Sequence, residues 1–521
     1  MHATLDRMSP SGREVSATVV YGGAVRCLVL VLCVGCGDNQ VPLAPCTEVE
    51  PPAFTAGPYA DPYEVELLGC VEGGLGDVAG RWFLRDAGEL FELSYPRYES
   101  TCDGGARLVG SDDFTSETEE GDLVSYQQWW DGTRAVSRLY RRYEFADFEY
   151  VIVKAVCARA DGTLVGRWVN YDADRGELTG PLLGTRFDRK DELAVGLELV
   201  GEVKSSSVGE PIDGYNVVVE AGVAYVAGPG GLDLIDVTVP DAPRAIGRFE
   251  GLWNDVRVVR GETEVVAFGA TSLETFVVDV TDPTTPTFVG ALLANGLSNS
   301  HSLQVANNRL YVADYSDAVP VFDVSNPLSP IPLGSVLVPD ADFGIHDLTV
   351  AGDRLFINQT EAGFVAVDVS AGLDKPSVLG RAPGTYSHAS AVGAVGGRTL
   401  TLHGDEGMTG PEGAAFLRVF DGDPASASFM TELGRYQSRP EVGIHNIELV
   451  GDRAYIAYYQ DGVRVVDLSD PTSPREVAHY NTWDPESAPG GAFEGAFGIR
   501  VVDGLIYVAD SERGLLILRE N

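Results

Sequence analysis

The sequence predicts an all-β protein whose larger part is a β-propeller, and three observations support this prediction. A unit of about 40 residues recurs through the second half of the chain. Each copy contains short runs of β-branched and aromatic residues, separated by Gly, Pro, Asn and Asp, which is typical of strands joined by turns. The last copy is incomplete, and a matching strand stands alone before the first copy. Four short strands per unit are the pattern of one propeller blade.

The most regular part of the unit is a run that ends in aspartate, followed by a proline-marked turn and a second run. Clear copies are "GLDLIDVTVPDAPRAIGRF" (231–249), "TFVVDVTDPTTPTFVGAL" (275–292), "VPVFDVSNPLSPIPLGSV" (319–336) and "VRVVDLSDPTSPREVAHY" (463–480). We interpret these aspartates as turn-makers, because a carboxylate there can accept hydrogen bonds from the turn backbone and the proline stops the strand. The six aspartates are Asp236, Asp279, Asp323, Asp368, Asp421 and Asp467.

The copies predict a closed ring of seven blades. Six complete copies and a seventh begin near Tyr215, Asn254, His301, His346, His388, His445 and Phe497. The chain stops after the third strand of the seventh copy. The run "LELVGEV" at 197–203 resembles the fourth strand of the other copies but has no strands of its own before it. We expect it to pair with the last strand of the chain, which would close the ring and remove its open edges.

This pattern resembles the LVIVD-repeat family of bacterial surface propellers and lipoproteins over roughly residues 195–521. The segments "LIDV", "VVDV", "VFDV", "AVDV" and "VVDL" fall in register, with flanks rich in glycine and proline. The resemblance implies a β-propeller. It implies little about chemistry, because this fold carries many functions.

One position of the repeat carries four of the seven histidines of the chain. It lies just before the first strand, which in propellers lines the central channel. Neighbouring blades pack as sheets roughly 10 Å apart, so imidazoles on four consecutive blades are expected at one mouth of the channel. Histidines in this number suit zinc, copper or iron. The predicted metal ligands are His301, His346, His388 and His445.

The fifth copy has an enlarged loop, "HGDEGMTGPEGAA" at 403–415, on the same face. It contributes His403, Asp405 and Glu406 as supporting residues, because insertions on one face of a rigid scaffold commonly carry function. Two other interpretations of the histidines remain open. Duplication can have copied a residue that hydrogen-bonds a neighbouring loop, or the histidines can recognise an organic ligand.

Residues 46–195 are predicted to form a separate β-rich domain, a small barrel or sandwich. Its alternating and aromatic runs include "LVSYQQWWD" (123–131) and "YVIVKAVCA" (150–158). The predicted disulfide cysteines all precede residue 160, and this difference in composition marks the boundary with the propeller at 196–521. They are Cys46, Cys70, Cys102 and Cys157, and the sequence leaves their three pairings open.

Residues 1–36 have the pattern of a signal peptide with a lipobox. Arg26 precedes the apolar stretch "CLVLVLCVGC", which is too short for a mature membrane-spanning helix but has the length of a signal core. Cys36 is the predicted lipidation site, followed by a linker at 37–45. We therefore expect a protein of the bacterial cell envelope, at the outer membrane or cell surface, that contacts the membrane only through its lipid.

The charge and the absent motifs narrow the functional classes. Asp and Glu outnumber Lys and Arg 77 to 37, giving a formal charge of −40. This excess of acidic residues argues against nucleic-acid binding, because neutralising the phosphates requires clustered cations. No P-loop, HExxH or GxSxG motif is present, and no catalytic residue is assigned. The leading hypothesis is a binding or scaffolding protein that takes a protein or small-molecule ligand on the propeller face. The alternative is a metal-dependent enzyme at the channel mouth.

Overall fold

A computed structural model gives the chain in two compact units, residues 1–50 and 51–521. Among the described residues every regular element is a β-strand, and no helix there has the length and apolar character that crossing a bilayer requires. The structure describes side chains only in the ranges given at the end of this paragraph. Elsewhere it describes only the backbone of the strands whose limits are given in this section. The ranges with described side chains are 59, 61, 64–74, 133–142, 149–172, 176–182, 189–271, 274–292, 300–338, 344–360, 362–384, 386–406, 415–440, 442–484 and 493–521.

The first unit contains one antiparallel pair of strands, β1 (Thr4–Asp6) and β2 (Ser16–Thr18). The predicted lipidation site Cys36 and the predicted disulfide residues Cys46 and Cys102 lie outside the described residues. The lipid anchor therefore stays a prediction.

The second unit begins with an antiparallel sheet of eight strands, in the order β4-β3-β12-β11-β10-β9-β8-β7, and a separate β5–β6 pair. The bounds are β3 (Trp82–Arg85), β4 (Leu90–Glu92), β5 (Arg97–Ser100), β6 (Ala106–Val109), β7 (Phe114–Glu117), β8 (Leu123–Trp130), β9 (Arg134–Tyr143), β10 (Phe148–Ala158), β11 (Leu164–Asp172) and β12 (Gly176–Arg186). One disulfide joins Cys70 to Cys157, with an S–S distance of 2.03 Å. It ties the segment before the sheet to the central strand β10.

The rest of the chain forms seven further sheets, counted over the described residues. After β13 (Ala194–Val195) and β14 (Leu197–Val203), the first three are β15 (Asn216–Glu220), β16 (Val223–Gly228), β17 (Gly231–Asp236), β18 (Arg244–Glu250); β19 (Asp255–Arg260), β20 (Val265–Ala270), β21 (Thr275–Asp279), β22 (Thr287–Leu292); and β23 (Ser302–Ala306), β24 (Arg309–Ala313), β25 (Ala318–Asp323), β26 (Ile331–Leu337). Each sheet is an antiparallel meander in chain order.

The remaining four sheets continue the pattern, except that β13 adds a fifth strand beside β38 in the sixth sheet and β14 supplies the fourth strand of the seventh. They are β27 (Asp347–Ala351), β28 (Arg354–Asn358), β29 (Phe364–Asp368), β30 (Ser377–Ala382); β31 (Ser387–Val395), β32 (Arg398–Asp405), β33 (Leu417–Asp421), β34 (Glu432–Tyr436); β35 (Asn446–Val450), β36 (Arg453–Ala457), β37 (Val463–Asp467), β38 (Arg475–Tyr480); and β39 (Ala496–Val502), β40 (Leu505–Asp510), β41 (Gly514–Glu520). The prediction of an all-β chain with four-stranded antiparallel sheets is confirmed.

Burial explains why the repeated runs are continuously apolar rather than alternating. The second and third strands of each sheet are buried along almost their whole length, as in β16 and β17. A strand covered on both faces needs apolar residues at successive positions. The fourth strands form the rim of each sheet and are much more exposed, as in β26.

The ends of the repeated motif form similar local structures in the first six of the seven sheets. Each of the six predicted turn-making aspartates accepts a hydrogen bond from the backbone N–H two residues later, at distances of 2.8–3.1 Å. This interpretation is confirmed. In the fourth strand, the residue before the motif's glycine is the extra residue of a β-bulge, which bends the strand. The glycine itself allows close contact, because a Cβ on Gly247 would lie 2.0 Å from the carbonyl oxygen of Pro283 in the next sheet.

The predicted pairing of residues 197–203 with the last strand is observed. β14 pairs antiparallel with β41, from Leu197 opposite Glu520 to Val203 opposite Leu515. The first strands of neighbouring sheets contact one another in the cycle β15, β19, β23, β27, β31, β35, β39 and back to β15. These first strands surround a central channel.

Candidate functional site

The repeated position before each first strand forms the rim of one channel mouth. The rings of His301, His346, His388 and His445, which we call the histidine arc, follow one another at centroid distances of 3.8, 4.4 and 4.4 Å. The series continues through Phe497, 4.8 Å from His445, to Tyr215, 5.0 Å from Phe497. The structure therefore brings together the four histidines that the repeat places in register.

Backbone hydrogen bonds to the second strand fix the arc. The N–H groups of His301, His346 and His445 donate to the carbonyl oxygens of Ala313, Asn358 and Ala457 at 2.7–2.9 Å. His388 is held differently, because the register of β31 against β32 shifts at this residue, which makes it the extra residue of a bulge.

The glycine in the sequence context G-I-H has a packing role. A Cβ on Gly344 would lie 2.6 Å from the carbonyl oxygen of Tyr315, and one on Gly443 would lie 2.3 Å from that of Glu406. Both contacts are with the loop between the second and third strands of the preceding sheet. Only a residue without a side chain allows this loop to approach the next histidine so closely.

The two outer histidines each use Nδ1 in a hydrogen bond to the next sheet. His301 Nδ1 lies 3.2 Å from the carbonyl oxygen of His346, and His445 Nδ1 lies 2.8 Å from that of Phe497. A carbonyl oxygen only accepts, so Nδ1 donates and the lone pair of the neutral ring is on Nε2. The hydrogen bond that the sequence left open as a structural role is thus present in these two residues.

The two inner histidines are buried and incompletely bonded. His346 is 3% exposed and His388 is 2% exposed; Nδ1 of His346 has no hydrogen-bond partner among the described residues, whereas the His388 ring has a long hydrogen bond to the backbone of His445. Burial lowers the pKa of His388 to about 3 and lowers the pKa of His346 well below its ordinary value. Burial also lowers the pKa of His301 and His445. All four imidazoles are therefore neutral at pH 7.

The Glu406 carboxylate lies next to the two inner histidines. Glu406 directly follows β32, and its Oε2 lies 3.6 Å from Nε2 of His388. Its other carboxylate oxygen accepts a hydrogen bond from the Tyr459 hydroxyl. Burial raises the pKa of the Glu406 carboxyl. Each of His346, His388 and Glu406 can place one ligand atom within 4.8 Å of the other two.

The other two predicted supporting residues lie inside β32 rather than in the loop. His403 packs between Phe364 and Phe420, at ring distances of 5.0 and 6.3 Å, and its Nε2 lies 2.8 Å from the Ser387 hydroxyl. The Asp405 carboxylate lies 3.3 Å from the Arg418 guanidinium. The enlarged loop thus starts after residue 405, and of these three residues it is Glu406 that reaches the arc.

Behind the arc lies a channel cavity of about 420 Å³. Buried Asp255 organises one wall: it accepts backbone N–H bonds from Val256 and Leu303 at 2.7 Å and a bond from the Arg257 guanidinium at 2.6 Å. The sequence analysis did not identify this network. Its side chains stand one or three residues after the repeated position that precedes each first strand, which is the slot occupied by the histidines. Further polar residues of the lining are Asn216, Ser302, Gln304, Asp347, Asn446, Glu448 and Arg500.

A second group of histidine and carboxylates joins the segment before the propeller to the sixth sheet. We call Asp191, Arg464, Glu476 and His479 the linker clasp. His479 Nδ1 lies 2.8 Å from Glu476 Oε1, and its Nε2 lies 3.2 Å from the carbonyl oxygen of Glu192. The buried guanidinium of Arg464 lies 2.9 Å from Asp191 and 3.2 Å from Glu476. Both ring nitrogens of His479 are therefore already bonded.

Several solved structures are similar to part of this chain. A WD40 β-propeller domain of Doa1 is similar at 12% identity with a TM-score of 0.46, covering 62% of this chain and 97% of that one. The N-terminal domain of Nup159 is similar at 12% identity with a TM-score of 0.42, covering 63% of this chain and 96% of that one. U3-55K is similar at 7% identity with a TM-score of 0.44, covering 62% of this chain and 98% of that one. A search of curated proteins gave no match.

The sequence profile of the LVIVD repeat matches residues 299–338 and 444–482. Both segments begin at or next to the repeated slot and run to the fourth strand of the third and sixth sheets. The chain therefore contains LVIVD repeats at these two places, as its sequence predicted.

Proposed function

We propose that the chain is a binding protein whose seven sheets are the blades of one closed propeller, with its ligand site at the histidine-lined mouth of the channel. Two observations support the ring: the β14–β41 pairing and the unbroken cycle of contacts between first strands. The ligand site rests on the cavity behind the mouth. Its volume of about 420 Å³ falls in the range of small-molecule sites.

The lining of the cavity favours a small polar ligand. Repeated blades present unlike side chains at equivalent positions, such as Gln304, Glu448 and Arg500. Such a set offers both donors and acceptors in fixed directions, which is how a rigid site recognises one polar molecule. A protein partner would instead contact the rim of the same face, and this is the second candidate ligand.

A screen for thermal stabilisation tests the site. A panel of sugars, amino acids and dicarboxylates is added to the purified chain and to Gln304→Trp, which fills the channel. Ala425→Trp, in an exposed turn of the fifth sheet, is the matched control. We expect at least one compound to stabilise the wild type and the control but not Gln304→Trp. Stabilisation of all three proteins alike would contradict a channel site.

We further propose that the protein is lipid-anchored at Cys36 and faces an extracytoplasmic compartment. The signal-like apolar stretch supports this, and so does the Cys70–Cys157 disulfide, because disulfides persist mainly in oxidising compartments. Expression in a Gram-negative host with labelled palmitate tests the anchor. Label should follow the wild type into the membrane fraction and be absent from Cys36→Ser. Equal labelling of both proteins would contradict the assignment.

A further inference from the structure

We propose that His346, His388 and Glu406, flanked by His301 and His445, form a binding site for a divalent transition-metal ion at the channel mouth. The first three residues come from two neighbouring sheets, and their candidate ligand atoms lie within 4.8 Å of one another. Ligands bound to one ion at about 2.0–2.2 Å are separated by little more than 3 Å. Small side-chain rotations are therefore enough to form the site.

The bonding state of the inner histidines is the second observation. Burial removes His346 from water, yet its Nδ1 lacks a partner among the described residues. Buried polar atoms are normally satisfied, and an unpaired atom requires an explanation such as an ion. An ion next to Glu406 would supply this partner, and His388 would bind it through Nε2, which lies 3.6 Å from the Glu406 carboxylate.

The outer histidines are oriented as metal ligands are. A metal-binding histidine usually donates its other ring N–H to a backbone carbonyl or carboxylate, which fixes the tautomer. His301 and His445 make this bond through Nδ1 to the next sheet. Their Nε2 atoms are not among the ligand atoms that lie within 4.8 Å of one another, so the site itself consists of His346, His388 and Glu406, and the outer histidines flank it.

The charge and the donor types define the class of ion. Imidazole binds a metal ion through a ring nitrogen in its neutral form. Glu406 adds one carboxylate, oriented by the Tyr459 hydroxyl. Nitrogen donors with one oxygen and no sulfur suit zinc, iron, cobalt or copper, whereas calcium and magnesium prefer all-oxygen sites.

The linker clasp provides a matched negative control. Asp191, Glu476 and His479 also bring candidate ligand atoms within 4.8 Å of one another. Their protein partners, above all Arg464, already occupy these atoms. A cation next to the Arg464 guanidinium would also be repelled.

Metal binding is measured on the chain purified without a histidine tag and stripped with a chelator. Zinc binding is followed by calorimetry, and cobalt binding by its visible absorption, which reports nitrogen and oxygen ligands. We expect one ion per chain for the wild type and for His479→Gln. The double variant His346→Gln with Glu406→Gln should bind at least 100-fold more weakly. Thermal unfolding without metal shows whether each variant is folded.

If the double variant fails to fold, the single variant Glu406→Gln decides, with an expected loss of about tenfold or more. Failure of the wild type to bind a stoichiometric ion would overturn the proposal. So would equal loss of binding in His479→Gln and in the arc variant. The channel-filling variant Gln304→Trp should still bind the metal, so this site and the small-molecule site can fail separately.

Discussion

The histidine arc with Glu406 and the linker clasp each bring histidine and carboxylate groups within 4.8 Å of one another, but they differ in how their polar atoms are used. In the clasp, Arg464 and the backbone of Glu192 occupy the atoms that could bind an ion. In the arc, Nδ1 of His346 is buried without a partner among the residues that the structure describes. Proximity of candidate ligand atoms is thus shared by both clusters, and the hydrogen bonds of those atoms distinguish the structural clasp from the proposed metal site.

The largest expected effect comes from breaking the clasp. Replacing Arg464 by alanine leaves Asp191 and Glu476 without their buried cation, and it should lower the free energy of unfolding by about 3 kcal/mol. The matched control is Arg475→Ala, which removes an exposed ion pair with Asp467 and should cost less than about 1 kcal/mol. Urea unfolding measures both. Equal costs would show that the clasp is not a structural cluster.

Metal should stabilise the arc and leave the clasp unaffected. At zinc concentrations 100 times the dissociation constant, the free energy of unfolding of the wild type should rise by about 2.7 kcal/mol. His479→Gln should show the same increment, and the double variant His346→Gln with Glu406→Gln should show at most about 0.4 kcal/mol. An increment that depends on His479 instead would reverse the assignment of the two clusters.

Acidification should destabilise the protein through its buried neutral histidines. Burial lowers the pKa of His388 to about 3 in the folded state, whereas the unfolded ring titrates near 6.5. Between these values the unfolded chain binds the extra proton, so stability falls as the pH falls. From pH 7 to pH 5 this amounts to about 2 kcal/mol for one ring.

His388→Asn should therefore lose about 2 kcal/mol less than the wild type over the same pH interval. Metal-free protein is used, with urea unfolding at each pH. His403→Gln should behave alike, because burial lowers the pKa of His403 to about 3 as well, although this residue lies outside the arc. Parallel pH profiles for wild type and both variants would contradict neutral buried rings.

The smallest effect should come from removing the hydrogen bond that orients the Glu406 carboxylate. Tyr459→Phe removes the hydrogen bond to Glu406 but no metal ligand. We expect zinc affinity to fall about tenfold, while the stability of the metal-free protein changes by about 1 kcal/mol. Tyr436→Phe is the control, because its hydroxyl bonds Glu476 in the clasp. A loss of affinity in the control but not in Tyr459→Phe would refute the role of Tyr459.

The repeat made much of the site predictable. Equivalent positions in successive blades must occupy equivalent places around the ring, so the register of His301, His346, His388 and His445 in the sequence was enough to bring them together. The same reasoning identified the pairing of residues 197–203 with the last strand. Local turn chemistry likewise predicted the role of Asp236 and its equivalents.

Contacts between unlike segments were not predictable in this way. The Tyr459–Glu406 bond joins two sheets through loops whose sequences differ, and the clasp joins Asp191 to Arg464 across 273 positions. His403 was expected in a loop, yet the strand β32 extends through Asp405 and buries it. These features depend on the loop paths and on the distance between particular atoms.

The sequence by itself determined the repeated sheets, the turns and the slot that faces the channel, because hydrophobic patterning and turn residues act locally and recur with the repeat. The tertiary structure alone decided which of the two histidine clusters has unused ligand atoms. Hydrogen bonding is short-ranged and directional, so it depends on side chains that the fold brings together from distant parts of the chain.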